Sequence, residues 1–141
     1  VSLGVGNPAP PLRLPDLDGS ELDLATFTGE PTLVLFWNPG CGFCQHMLPD
    51  LQAWEANPPS NAPRLLVVST GDVETNRTLG LQAPVVLDQT FAAGRAFGAS
   101  GTPSAVLIDA EGKIASEVAV GAAAVLALAG ANEENAPAPT N

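Results

Sequence analysis

Thr32-Leu33-Val34-Leu35-Phe36-Trp37-Asn38-Pro39-Gly40-Cys41-Gly42-Phe43-Cys44 joins a run of apolar, β-favouring residues to the chain's only two cysteines. The run Thr32 to Trp37 shows no polar alternation, so it reads as a strand buried on both faces. Asn38-Pro39-Gly40 stops it. From Cys41 or Gly42 to about Ala56, Cys44, Leu48, Leu51 and Trp54 recur at three- and four-residue spacing, which predicts a helix with one buried face. Pro49 interrupts that helix, removing one backbone hydrogen bond and predicting a kink at a cost of ~3 kcal/mol. The cysteines therefore fall where a buried strand turns into a helix. Free N–H groups and the positive end of the helix dipole at that junction favour a thiolate at Cys41, the attacking sulfur, with Cys44 one turn deeper as the resolving thiol.

Working outward, the proline-rich segment Gly6 to Pro15 predicts an extended surface arm in which Leu12 and Leu14 alternate as anchors. Asp16-Leu17-Asp18-Gly19 suits a hairpin turn, with Leu22 and Leu24 on one face of the short strand that follows. After the central helix, Pro58 and Pro59 end the pattern and Leu65 to Ser69 reads as a second buried strand. Asp72 is placed to cap a short helix through Leu79. Pro84 to Asp88 predicts a short strand and Gln89 to Phe97 a helix burying Phe91 and Phe97, ended by Gly98. Gly101-Thr102-Pro103-Ser104 precedes a strand at Ala105 to Ile108, whose Asp109–Gly112 turn leads into a hairpin strand from Ile114 to Val120. A last helix is expected over about Ala122 to Ala129. This order specifies an α/β fold, a mixed sheet with helices on both faces.

With 141 residues the chain fits one domain, expected over 1–131, with a polar, proline-containing disordered tail over 132–141. Fifteen acidic residues against five basic ones exclude a nucleic-acid partner, which needs clustered Lys and Arg, and disfavour an anionic membrane surface. No apolar stretch approaches the ~18 to 20 residues of a membrane span, and no signal-peptide pattern is present. The chain begins at Val1 and its sole methionine is Met47. It reads as a processed chain or an excised piece, with an upstream signal or anchor outside it.

Two cysteines at this spacing are either a redox pair or half of a metal site. A structural zinc needs four ligands, and His46 is the only further candidate nearby, so no metal and no cofactor are expected. The strand-then-helix context favours redox chemistry. A redox-inert or metal-carrying interaction domain is the non-enzymatic alternative.

From about Gly6 to Ala129 the sequence resembles the thioredoxin superfamily, in particular its TlpA/ResA-like extracytoplasmic bacterial branch. The resemblance rests on Gly6-Asn7-Pro8-Ala9-Pro10 leading to Leu14–Gly19, on Phe36-Trp37 with Cys41, Cys44 and Pro49, and on Gly101-Thr102-Pro103 before a strand. It implies a thioredoxin-like fold and exchange of a Cys41–Cys44 dithiol with protein thiols and disulfides, by a monomer outside the cytoplasm with a membrane-bound redox partner. It also implies a cis bond before Pro103, with the Thr102 backbone pairing with an extended substrate segment. No Asp, Glu, Lys or Arg lies between Pro31 and Pro49. Trp37, Gly42 and Phe43 are accordingly expected, with Thr102 and Pro103, to form an uncharged substrate-binding rim. Two acids that relatives use to handle the proton of the second cysteine are replaced here by Leu35 and Met47. His46 is expected to be exposed. Peroxiredoxins share the fold and offer a second enzymatic reading. That family wants Thr or Ser three residues before its reactive cysteine, where Asn38 stands before Cys41.

Overall fold

The computed structural model describes residues 4–60 and 62–130. Five strands form the main sheet in the order β5-β4-β3-β6-β7. They are β3 (Thr32–Phe36), β4 (Arg64–Ser69), β5 (Val85–Leu87), β6 (Ser104–Ile108) and β7 (Ala119–Val120). β4 runs parallel to both β3 and β5, whereas β6 runs antiparallel to both β3 and β7. A separate hairpin pairs β1 (Arg13–Pro15) with β2 (Glu21–Asp23). Its turn is held by Asp16, whose Oδ1 accepts the N–H groups of Asp18 and Ser20. The helices are α1 (Gly42–Ala56), α2 (Val73–Arg77), α3 (Ala92–Ala96) and α4 (Ala122–Leu128). Among the described residues, no helix is long and apolar enough to cross a membrane.

Every residue of β3 is buried, as a strand without alternation requires. Leu33, Leu35 and Trp37 join Met47, Leu51, Trp54 and Val125 in one core layer, while Val34 and Phe36 join Leu12, Leu24, Phe27 and Phe97 in the other. Each fully buried aliphatic side chain contributes on the order of 1.5–3 kcal/mol to this sandwich. The helix α1 runs unbroken through Pro49, which is exposed. The buried positions of α1 are Cys44, Met47, Leu51 and Trp54; Leu48, expected on that face, is only half-buried.

Three elements differ from expectation. Leu24 does not extend β2 but opens a 3₁₀ turn, Leu24–Phe27, because Asp23 caps it by accepting the Ala25 N–H. The strand expected over Ile114 to Val120 shrinks to Ala119–Val120 plus an isolated bridge between Ile108 and Ile114. Here the Ser116 hydroxyl accepts the Leu107 N–H at 2.9 Å, so a side chain takes the place of a ladder carbonyl and the chain leaves the sheet. The helix expected from Gln89 begins only at Ala92. The Gln89 amide is clamped to Thr70 and Gly71, and Phe91 is left-handed at φ 60°, which breaks a helical path. Phe91 is half-buried, not fully buried. Its ring covers Gly94 so closely that a Cβ there would lie 2.5 Å from it. The tail expected to be disordered, 132–141, lies outside the described residues.

Candidate active site

Asn38, at the carboxyl end of the central strand, shapes the turn into α1. Its Oδ1 accepts the Gly40 N–H at 2.8 Å and its carbonyl accepts the Cys41 N–H at 2.9 Å. The Gln45 side chain closes the same turn by donating to the Pro39 carbonyl at 2.9 Å. Cys41 consequently occupies the N-cap of α1 in extended backbone, with no capping bond from its own side chain. Its carbonyl accepts the Gln45 N–H, the first bond of the helix. The sulfur is thereby left to face the free N–H groups of the first turn.

Cys41 is half-exposed and Cys44 is fully buried one turn on; both are free thiols. Cys41 has its pKa lowered. Burial pushes it up, but hydrogen bonds from the Cys44 N–H, the Thr102 side chain, the Phe43 N–H and the Cys44 thiol together outweigh that effect. Cys44 moves the other way. Burial is the main cause, and the neighbouring Cys41 charge adds to it; hydrogen bonds from the Asn38 N–H and the Thr102 side chain oppose it, and the pKa reaches about 11. One sulfur is therefore accessible and more acidic, and the other is enclosed and held protonated.

The third part of the site comes from 61 residues downstream: the Cys41 thiol donates to the Thr102 carbonyl, with 3.6 Å between Sγ and O. The Thr102–Pro103 bond is cis, Thr102 is half-buried and Pro103 is buried. The Ser104 hydroxyl donates to the Gly101 carbonyl and the Gly121 N–H to the Pro103 carbonyl, pinning this loop at both ends.

The structure sorts the expected rim residues. Phe43 is 75% exposed between the two cysteines, and Gly42 beside it is also exposed. Trp37 is only 2% exposed and packs with Cys44 and Met47 behind the dithiol, so it presents almost no surface to a partner. Its Nε1 is buried without a hydrogen-bond partner among the described residues. Leu35 and Met47 are both buried in the same core layer as Cys44. His46 is exposed. No group of three His, Cys, Asp or Glu that could hold a metal occurs among the described residues. Asn38 entered the sequence reading only as part of the turn and as a mark against a peroxidase, and its hydrogen bonds to Gly40 and Cys41 were not foreseen. An Asn-Pro-Gly turn at the end of a strand was the available signal, since Asn side chains cap such turns.

Residues 5–117 match the model of the AhpC/TSA family. Among curated proteins, the chain is 28% identical over 119 residues to the thiol-disulfide oxidoreductase ResA of Geobacillus thermodenitrificans, covering 81% of this chain and 68% of that protein. Among solved structures it resembles a candidate DsbE thiol:disulfide interchange protein of Chlorobium tepidum, with a TM-score of 0.75 and 26% identity over 90% of this chain and 94% of that one. It also resembles a secreted Mycobacterium tuberculosis disulfide oxidoreductase described as homologous to E. coli DsbE, with a TM-score of 0.61 and 25% identity over 73% of this chain and 79% of that one.

Proposed function

The chain belongs to the AhpC/TSA family, and from that premise we infer that Cys41 and Cys44 are the working pair of a thiol–disulfide oxidoreductase on a thioredoxin-like fold. The observation that carries the assignment is the contrast between the two sulfurs at the start of α1: Cys41 half-exposed with a lowered pKa, Cys44 buried with a raised one. The Cys41 thiolate attacks one sulfur of a partner disulfide, and the partner's other sulfur leaves as a thiolate and takes up a proton. Cys44 then loses its proton and attacks the Cys41 sulfur of the mixed disulfide, releasing the partner's second thiol. Two electrons and two protons pass to the partner, and the Cys41–Cys44 disulfide remains. The reverse sequence oxidises a partner dithiol, the direction following the partner's reduction potential.

Thr102 lies at the reacting end of the pair, since its carbonyl accepts from the Cys41 thiol. Together with Pro103 it offers backbone to an extended partner segment, while Phe43 and Gly42 supply the apolar contact. The partners are protein thiols and disulfides. The protein acts outside the cytoplasm, a reading supported by the secreted relative from Mycobacterium tuberculosis; that it does so as a monomer exchanging electrons with a membrane-bound redox protein rests on the sequence resemblance alone. Peroxide reduction is disfavoured by Asn38, an amide where a hydroxyl is wanted.

Substitution of the cysteines tests the assignment. Cys41→Ser abolishes exchange with a disulfide-bonded protein, and Cys44→Ser accumulates a mixed disulfide through Cys41, visible on a non-reducing gel. Full activity in both variants refutes it. Applied in the native compartment, the Cys44→Ser variant also captures the partner, and recovery of soluble proteins alone rules out the membrane-bound one.

A further inference from the structure

A cleft of about 340 Å³ is lined by Trp37 and Asn38 at the end of β3, by the loops after β4 and β5 and by Ser100 to Thr102. Thr102 is common to this cleft and to the Cys41 contact. A polypeptide whose cysteine meets Cys41 at Thr102 has a residue of the cleft's lining beside it. Asp88 is the only ionisable side chain in the lining. It is 7% exposed; its Oδ2 accepts the Ala93 N–H at 2.8 Å, and its Oδ1 accepts nothing among the described residues. One oxygen of this nearly buried carboxylate is thus bonded to the backbone and the other is left to solvent, where a cationic side chain can replace water. Phe91 also lines the cleft.

Among the described residues, no Arg or Lys forms an ion pair with Asp88. The Gln89 amide is consumed in bonds to Thr70 and Gly71, which hold two walls of the cleft together. Arg13, Arg64 and Arg77 pair with Asp23, Glu30 and Asp18. Arg95 is exposed and donates to the Thr90 carbonyl, forming no ion pair with Asp88. The whole chain carries a formal charge of −10, so the surrounding field reinforces the local preference.

We propose that this cleft is a specificity subsite that takes a Lys or Arg side chain close to the reactive cysteine of the partner polypeptide, with Asp88 as its counter-ion. The inference rests on the oxidoreductase reading and names the substrate class within it: disulfides in basic segments. It is tested with peptides containing one intrachain disulfide, in which Lys, Gln or Glu is placed in turn at each of the three positions on either side of a cysteine. Second-order rates of reduction are measured for the reduced wild-type protein, for Asp88→Asn and for Glu111→Gln. Asn retains an acceptor for Ala93, and Glu111→Gln removes the same charge from the turn at the far end of β6. The readout is the Lys-to-Gln rate ratio within each protein, so any general loss of activity cancels. At one position at least, the wild type and Glu111→Gln prefer Lys by about fivefold, as a partly desolvated charge pair gives, and Asp88→Asn reduces the ratio to near one. The absence of a preference in the wild type, its survival in Asp88→Asn, or its equal loss in Glu111→Gln overturns the subsite. If no peptide is reduced at all, the oxidoreductase reading itself falls and this inference with it.

Discussion

Raising the pH should destabilise the reduced protein through Cys44. Its thiol is fully buried, and its pKa rises from an ordinary 9.0 to about 11, chiefly because burial penalises the thiolate. The folded state therefore holds this proton more tightly than the unfolded chain does. The resulting stability is fully present below pH 9 and is lost as the pH climbs to 11, since unfolding then releases a proton. The difference is worth about 3 kcal/mol. Cys41 has the opposite sign: its lowered pKa contributes stability present above the unfolded value and lost as the pH falls through the folded one. The two thiols' joint contribution to stability is thus greatest near pH 9. Few other groups obscure this window, because the chain contains no tyrosine and Lys113 is its only lysine. Urea unfolding of the reduced wild type and of Cys44→Ala, each at pH 8.5 and pH 11, isolates the effect as the difference between the two proteins' pH responses. A wild type that loses no more stability than Cys44→Ala between these pH values refutes the account of Cys44. Burial still disfavours the Cys44 thiolate in the mixed disulfide, whereas the raising effect of the Cys41 charge is gone there, so resolution should accelerate with pH and level off below pH 11.

Phe43→Ser should leave the urea midpoint almost unchanged, within about 0.5 kcal/mol, because the ring is 75% exposed. It should nevertheless raise KM for a protein disulfide while sparing a small neutral disulfide; equal losses on both would remove Phe43 from the partner-docking surface. Gly94→Ala places a methyl group 2.5 Å from the Phe91 ring and should cost about 1–3 kcal/mol, measured by urea unfolding, as Phe91 is driven from its left-handed position against Phe36.

The sequence alone determined the strand from Thr32, the helix from Gly42 and the placement of two cysteines at their junction. These are local consequences of an unbroken apolar run, a turn of Asn, Pro and Gly, and helical spacing of buried side chains. Local reasoning failed where one side chain replaces a backbone partner from another element. Ser116 ends a strand by accepting from Leu107, and Gln89 delays α3 by bonding Thr70 and Gly71. Neither partner lies within the window that periodicity examines. Trp37 shows the same limit from the other side, for its type suited a rim, and only the packing of α1 over β3 put it behind the dithiol. The separation of the two sulfurs is likewise tertiary. Spacing orders them along the helix, but the burial that drives Cys44 to about 11 comes from the surrounding core, and Thr102 reaches Cys41 only because β6 lies antiparallel beside β3. The cleft with Asp88 at its wall had no signature in the chain, since it exists only where four segments far apart in sequence meet at one end of the sheet.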